Sequence, residues 1–463
     1  MGPTRWQPTT ARAMPWGSCG SIWKRCGGFE YFLDIKNQTQ ARAFNPFLKA
    51  KSTKLKKLIE EVQTQIDGYE HYYKTRKRAR RAVDQLSFER MIEAILCDLC
   101  LVFLDPRYKA VHLSLSNKVL RKASRYKSPV LGKTLPDLLR IMESPEMDFV
   151  RLTKGRTTFK VIDQDLNMAP AGGIQSTLAA GPKLTARIHS FAITQDDIAW
   201  SDEQETIVLR APKTPRTDIA EALEYKDNDS SLHLRQQMQA INQWVAAADI
   251  DCSLAGVNSN DRYLRRIFNN ASYEQGGRLY GGFWQRIKAD ERAESMFINE
   301  DAVVECDYGQ MSILLLYAEA GAQDQLPEGD LYDLSDYGIP EDCRAGIKKV
   351  MQAIINSPNV PKRMPKGARQ HFPSRISLKN VVRAIEKRHF RIFPLMTCNM
   401  GMQLFRKESD ILVDVLLKLK AQSVVALPIH DAVLVADEDK DTAVRVMKEV
   451  FKKHTGITPE VTS

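Results

Sequence analysis

No stretch of this chain approaches the roughly 20 consecutive apolar residues needed to cross a bilayer, so no membrane partner is expected. Paired cysteines are scarce. The eight cysteines are scattered, and only Cys97 and Cys100 form a C-x-x-C pair, inside an apolar helical pattern (Met91, Ile95, Leu99, Leu101) with no second pair downstream. That argues against a zinc site and for small buried thiols in a reduced, cytoplasmic compartment. Neither an internal repeat nor a low-complexity tract is found. Acidic residues are missing before Glu30, whereas Arg5, Arg12, Lys24 and Arg25 are present. This start reads as an unstructured tail or the product of an upstream start codon, with a transit peptide as the alternative.

What is present is the composition of a soluble globular protein, 43% hydrophobic and 27% charged, with 463 residues to divide between two or three domains. The net charge of +10 fits a polyanionic partner, because Lys and Arg near phosphates release condensed counterions. We expect an α+β fold divided into a tail (1–48), a helical domain like a winged helix (49–210), a polar linker or exposed segment with Pro212 and Pro215 (211–231) and a second domain (232–463). Within the helical domain, Leu55, Leu58, Ile59, Val62 and Ile66 recur at helical spacing. The basic run from Lys74 to Arg81 follows, a solvated face or a phosphate contact. A long apolar helix over 90–103, a short one capped by Ser116 and a third with Pro136 in its first turn come next. Strand-like 149–153 and 176–180 flank Gly172-Gly173 in the place of a wing, with a small α+β domain used for packing as the alternative.

Chemistry is concentrated in the second domain. Ala302 to Asp307 is a β-prone run ending in an acid, followed by an apolar helix over 310–320 closed by Gly321. A carboxylate at the end of a buried strand is costly unless it meets a cation; alternatively, Asp307 caps the helix. A second acid, Asp431, stands beside His430 at a tight turn between the apolar runs 424–429 and 432–435. Two such carboxylates brought together can hold two Mg²⁺ and serve phosphoryl transfer. Between them, 340–356 reads as a helix in which Arg344 and Lys348 share one face and Ile347, Met351 and Ile354 another. Two cations on one face can receive a triphosphate.

The ordered set Gly277-Arg278-Leu279-Tyr280 with Gln285, then Val304 to Gln310, then Arg344-x-x-x-Lys348, then Ile429 to Val433 resembles the motifs of family A DNA polymerases. Single-subunit phage-type RNA polymerases are related. The likeness covers roughly residues 240 to 460. It implies a palm and fingers, with Asp307 and Asp431 catalytic and holding two Mg²⁺ (or Mn²⁺) together with the backbone carbonyl of Tyr308. It further implies that Arg344 and Lys348 bind the incoming nucleoside triphosphate and that Arg278, Gln285 and His430 lie along a primer-template duplex. Glu408 and Ser409 match the pattern less closely.

Three departures bear on function. Gln352 and Asn356 stand where the resemblance implies aromatic residues at the nucleotide site. Ser312 stands where the DNA polymerases carry a glutamate that blocks a ribose 2′-OH, which implies tolerance of ribonucleotides. The residues before Gly277 are too few for a long helical thumb, so the N-terminal domain is expected to grip the nucleic acid instead. A primase, a single-subunit RNA polymerase and a nucleic-acid-binding regulator with an inactive palm are the alternatives.

Overall fold

The structure is a computed structural model describing residues 40–76, 78–161, 168–214 and 220–463, with backbone alone for 157–161 and 168–172. Most of the expected tail, Lys77 and Pro215 lie outside the described residues. Two compact units divide the chain: residues 40–122 with 129–198, and residues 123–128 with 199–463. Among the described residues no helix is long and apolar enough to cross a membrane.

In the first unit, helix α1 (Thr53–Tyr72) is started by Ser52, whose hydroxyl accepts the Leu55 N–H. Its apolar stripe is buried as the spacing predicts. Helix α2 (Ala82–Leu104) is buried along nearly its whole second half. Cys97 and Cys100 lie there as free thiols, with burial pushing Cys100 to about 12. Asp98 is buried in the same helix. Arg42 pairs with it and the Asn45 N–H donates to it, yet burial wins and raises its carboxyl to about 6.

A mixed four-stranded sheet packs with these helices, its strands being β1 (Ala41–Ala43), β2 (Ala110–Leu113), β3 (Val150–Thr153) and β6 (Ser176–Ala180), in the order β1-β2-β6-β3. Between β3 and β6 runs an antiparallel hairpin of β4 (Arg156–Val161) and β5 (Met168–Ile174). The helices α3 (Asn117–Arg121), α4 (Leu135–Glu143) and α5 (Pro182–Ser190) complete the unit.

In the second unit, β7 (Ile207–Leu209) starts a small sheet whose order is β10-β9-β7, with β9 (Arg265–Asn269) and β10 (Ser272–Tyr280) antiparallel. The described residues of 211–231, expected as a linker or an exposed segment, belong to this unit. Leu223 donates its N–H to Leu209, the Tyr225 hydroxyl donates to Ile207 O, and Asn228 caps α6 (Asp229–Ala247). Polar composition concealed two anchoring side chains.

The larger sheet has β12 (Asp301–Tyr308) at its centre. Its order is β8-β11-β12-β14-β13, with β8 (Ile250–Cys252), β11 (Met296–Ile298), β13 (Leu427–Ile429) and β14 (Ala432–Ala436), and β15 (Val461–Thr462) pairs with the end of β12. Every residue of β14 is buried, as expected for an uninterrupted apolar run covered on both faces. The helices are α7 (Ala289–Ser295), α8 (Met311–Glu319), α9 (Arg344–Ile355), α10 (Leu378–Arg388), α11 (Phe393–Met396), α12 (Gly401–Ala421) and α13 (Lys440–Thr455).

Candidate active site

Strand register brings the two acids together. In the antiparallel pairing of β12 with β14, Asp307 lies opposite Ala432, the residue after Asp431. The turn between β13 and β14 contains only His430 and Asp431, and His430 takes a left-handed φ of 53°. Pro428, which cannot donate to a ladder, sits in the edge strand β13. Its carbonyl is held from outside the sheet by Trp284 Nε1 at 2.9 Å and Gln285 Nε2 at 3.0 Å.

Asp307 is the more constrained acid. Its Oδ1 is buried with no hydrogen-bond partner. Burial first, then the charges of Asp431 and Glu305, raise its carboxyl to about 6, against the opposing pull of Lys348. A buried carboxylate oxygen left unpaired next to other acids is a site that a cation would relieve. Tyr308 offers only its backbone, because its phenol is buried and donates to Met447 O at 2.8 Å. Among the described residues no three His, Cys, Asp or Glu side chains converge as a metal cluster.

A third acid comes from α12. Glu408 is buried and accepts a two-pronged pair from Arg278, Nε at 2.6 Å and Nη2 at 2.8 Å, while the guanidinium stacks 3.8 Å over the Phe405 ring. Burial raises the Glu408 carboxyl to about 7; Arg278 opposes the rise, and Asp431 and Asp307 add to it. The helix approaches β10 this closely because Gly276 and Gly277 both take left-handed φ values, 83° and 85°. A Cβ on Gly277 would meet Phe268 Cε1 at 3.0 Å and Ser409 Oγ at 3.4 Å. Buried Arg266 closes the contact, with Nε reaching Gly277 O and Ser409 Oγ and Nη2 pairing with Asp410.

Arg278, Gln285 and His430, expected along a nucleic acid, are all near the hairpin, but they differ in freedom. Gln285 accepts the Gly281 N–H and donates to Leu279 O and Pro428 O, so its amide is committed to the protein. His430 keeps part of its ring open to solvent, packs edge-on against Tyr280 and is held below its ordinary value by partial burial and by Arg278.

Arg344 and Lys348 project from α9 into solvent on one face. Arg344 pairs with Asp330 through Nε at 2.5 Å, and both cations lie over the Tyr332 ring, at 5.2 and 5.9 Å. Gln352 donates to Ser312 Oγ at 3.3 Å and also hydrogen-bonds the buried Tyr332, whose phenol burial pushes up to about 12. The two departures of the helix thus have local reasons. Gln352 joins Ser312 to Tyr332, and Asn356 packs so closely on Gly401 that a Cβ there would collide with its amide. Glu408 was only weakly marked by sequence and Asp330 and Tyr332 not at all, since they sit in an irregular loop with no periodic signal.

No family model and no curated protein sequence matches the chain. Among solved structures, the POL domain of Pol1 from M. smegmatis, in complex with DNA primer-template and dNTP, is similar to it at 11% identity and a TM-score of 0.30, over 50% of each chain.

Proposed function

We propose that this protein is a template-directed nucleotidyltransferase that extends a 3′ end, with Asp307 and Asp431 as the catalytic acids. The observation that carries this is the placing of Asp307 beside Asp431 by strand register, with a buried carboxylate oxygen of Asp307 that has no hydrogen-bond partner. Two Mg²⁺ ions, or Mn²⁺, held by Asp307, Asp431 and the Tyr308 carbonyl would supply charge neutralisation at the attacking and leaving oxygens. The chain's own residues do the rest. Arg344 and Lys348 offer adjacent cations to a triphosphate, and Arg344 must exchange Asp330 for it. His430 faces a primer-template duplex from the hairpin side and Arg278 must exchange Glu408 to reach it, whereas Gln285 holds the hairpin in place. The first unit contributes the winged-helix-like element that grips nucleic acid.

Ser312, a small side chain beside Gln352, favours acceptance of ribonucleotides as well as deoxynucleotides. The test is primer extension with Mg²⁺ and either nucleotide set. We expect Asp431→Asn to lose extension with both sets and Ser312→Glu to lose it selectively with ribonucleotides. Equal extension by wild type and Asp431→Asn removes the proposal; absence of extension in both, with retained nucleic-acid binding, favours the inactive-palm alternative.

A further inference from the structure

The end of α1 and the loop behind it are unusual for an exposed surface. Tyr69, Tyr72 and Tyr73 share one side of the helix end, with ring centroids 4.5 Å apart for Tyr69 and Tyr73 and 4.9 Å for Tyr72 and Tyr73. Tyr72 is 78% exposed and Tyr73 47%, and the Tyr73 hydroxyl is fixed on Glu146 at 3.1 Å. Val83 and Leu86 are also exposed, at 74% and 61%. Nine large hydrophobic side chains are exposed among the described residues, and these four all fall between residues 72 and 86.

The charge of the same segment is of one sign. No acid occurs between Glu70 and Asp84, against six Lys and Arg residues. Arg80 is not available to a ligand. It grips Glu70 with two hydrogen bonds of 2.6 and 2.7 Å and lies 3.3 Å over the Phe88 ring, fastening the loop to both helices. Lys74, Arg76, Arg78 and Arg81 stay exposed, and none has an acidic partner among the described residues.

Exposed aromatic faces cost free energy in water unless something covers them, and cations without acids select a polyanion. A nucleic-acid duplex hides its base faces, and an acidic peptide has none. Bases of a single strand offer both a π-face to stack and a phosphate for each cation. We propose that Tyr72, backed by Tyr73 and flanked by Lys74, Arg76, Arg78 and Arg81, is a stacking platform for single-stranded nucleic acid. The platform lies in the first unit and does not depend on the chemistry proposed for Asp307 and Asp431.

The experiment measures anisotropy of a labelled oligothymidylate of about 16 nucleotides, within the usual reach of such sites, against the full-length chain without divalent ions. Tyr72→Ala should weaken binding roughly 5- to 100-fold, and Tyr72→Phe should leave it near wild type. Arg76→Gln with Arg78→Gln should lower the salt slope by about 1.4. Val119→Ser, at an exposed apolar position of the first unit outside this segment, should bind as wild type. Unchanged affinity of Tyr72→Ala overturns it, as does an equal loss in Tyr72→Phe, or wild-type affinity for a blunt duplex of the same length matching that for the single strand. Because Tyr72 is so exposed, circular dichroism of the variant should match wild type.

Discussion

Replacing Glu408 with glutamine tests the electrostatics of the site without removing a ligand of the proposed metals. The Glu408 carboxyl lies at about 7 rather than 4.5 because burial and two neighbouring aspartates outweigh Arg278. The folded-state value is the higher one, so the group takes up a proton on folding. Its contribution to stability is complete below pH 4.5 and is lost as the pH rises through 7. The full span is about 3 kcal/mol, at roughly 1.4 kcal/mol for each pH unit. Between pH 5.5 and 8 the wild type should lose about 2 kcal/mol relative to Glu408→Gln, which carries no charge at either pH.

Urea unfolding of both proteins, followed by tryptophan fluorescence at the two pH values, measures that difference. Parallel pH profiles would refute the argument, because they would mean that Glu408 is ionised across the range and fully compensated by Arg278. A further arm adds Mg²⁺. Cations bound at Asp307 and Asp431 would cancel the two charges that add to the effect of burial on Glu408, so the pH-dependent gap should narrow while the part due to burial remains. An undiminished gap at saturating Mg²⁺ would count against cation binding there.

Gly277→Ala should cost about 2 kcal/mol in urea unfolding, since the residue must keep φ at 85° and its methyl meets Phe268 and Ser409. Buried His389 donates from Nε2 to Leu331 O and accepts the Tyr317 hydroxyl at Nδ1, and burial lowers it to about 4. His389→Leu should therefore cost roughly 2 to 4 kcal/mol at pH 7 by stranding both partners. A lowered value means that the wild-type contribution is present above pH 6.5 and lost as pH falls through 4, so the penalty should be flat from pH 7 to 9. Gln285→Ala should slow extension while leaving primer-template affinity unchanged; a loss of affinity instead would show that its amide leaves Pro428 to contact nucleic acid.

The parts of the site that could be read in the sequence are those that depend on local pattern. Asp307 ends a β-prone run and Asp431 sits in a two-residue turn between apolar strands, so each was legible within a few residues. Their convergence depends on register across 124 residues, and only the order of the motifs hinted at it. The Arg344 and Lys348 face follows from helical periodicity. By contrast, Tyr332 and Asp330 act from an aperiodic loop, and the committed amide of Gln285 is a tertiary fact. In the segment 211–231, linker composition and a short folded return look alike in sequence until Leu223 and Tyr225 find partners in β7.

Helix α9 is fastened at both ends. Near its start the Phe372 ring lies where a Cβ of Gly346 would be, within 2.5 Å, and near its finish Asn356 abuts Gly401 at the head of α12. Lys349 also donates to Gly367 O. A ligand that pulled Arg344 and Lys348 toward it could not simply swing a free rod. It would drag the stretch around Gly367 and Phe372 with the helix and lever against the base of α12, whose next turns hold Glu408.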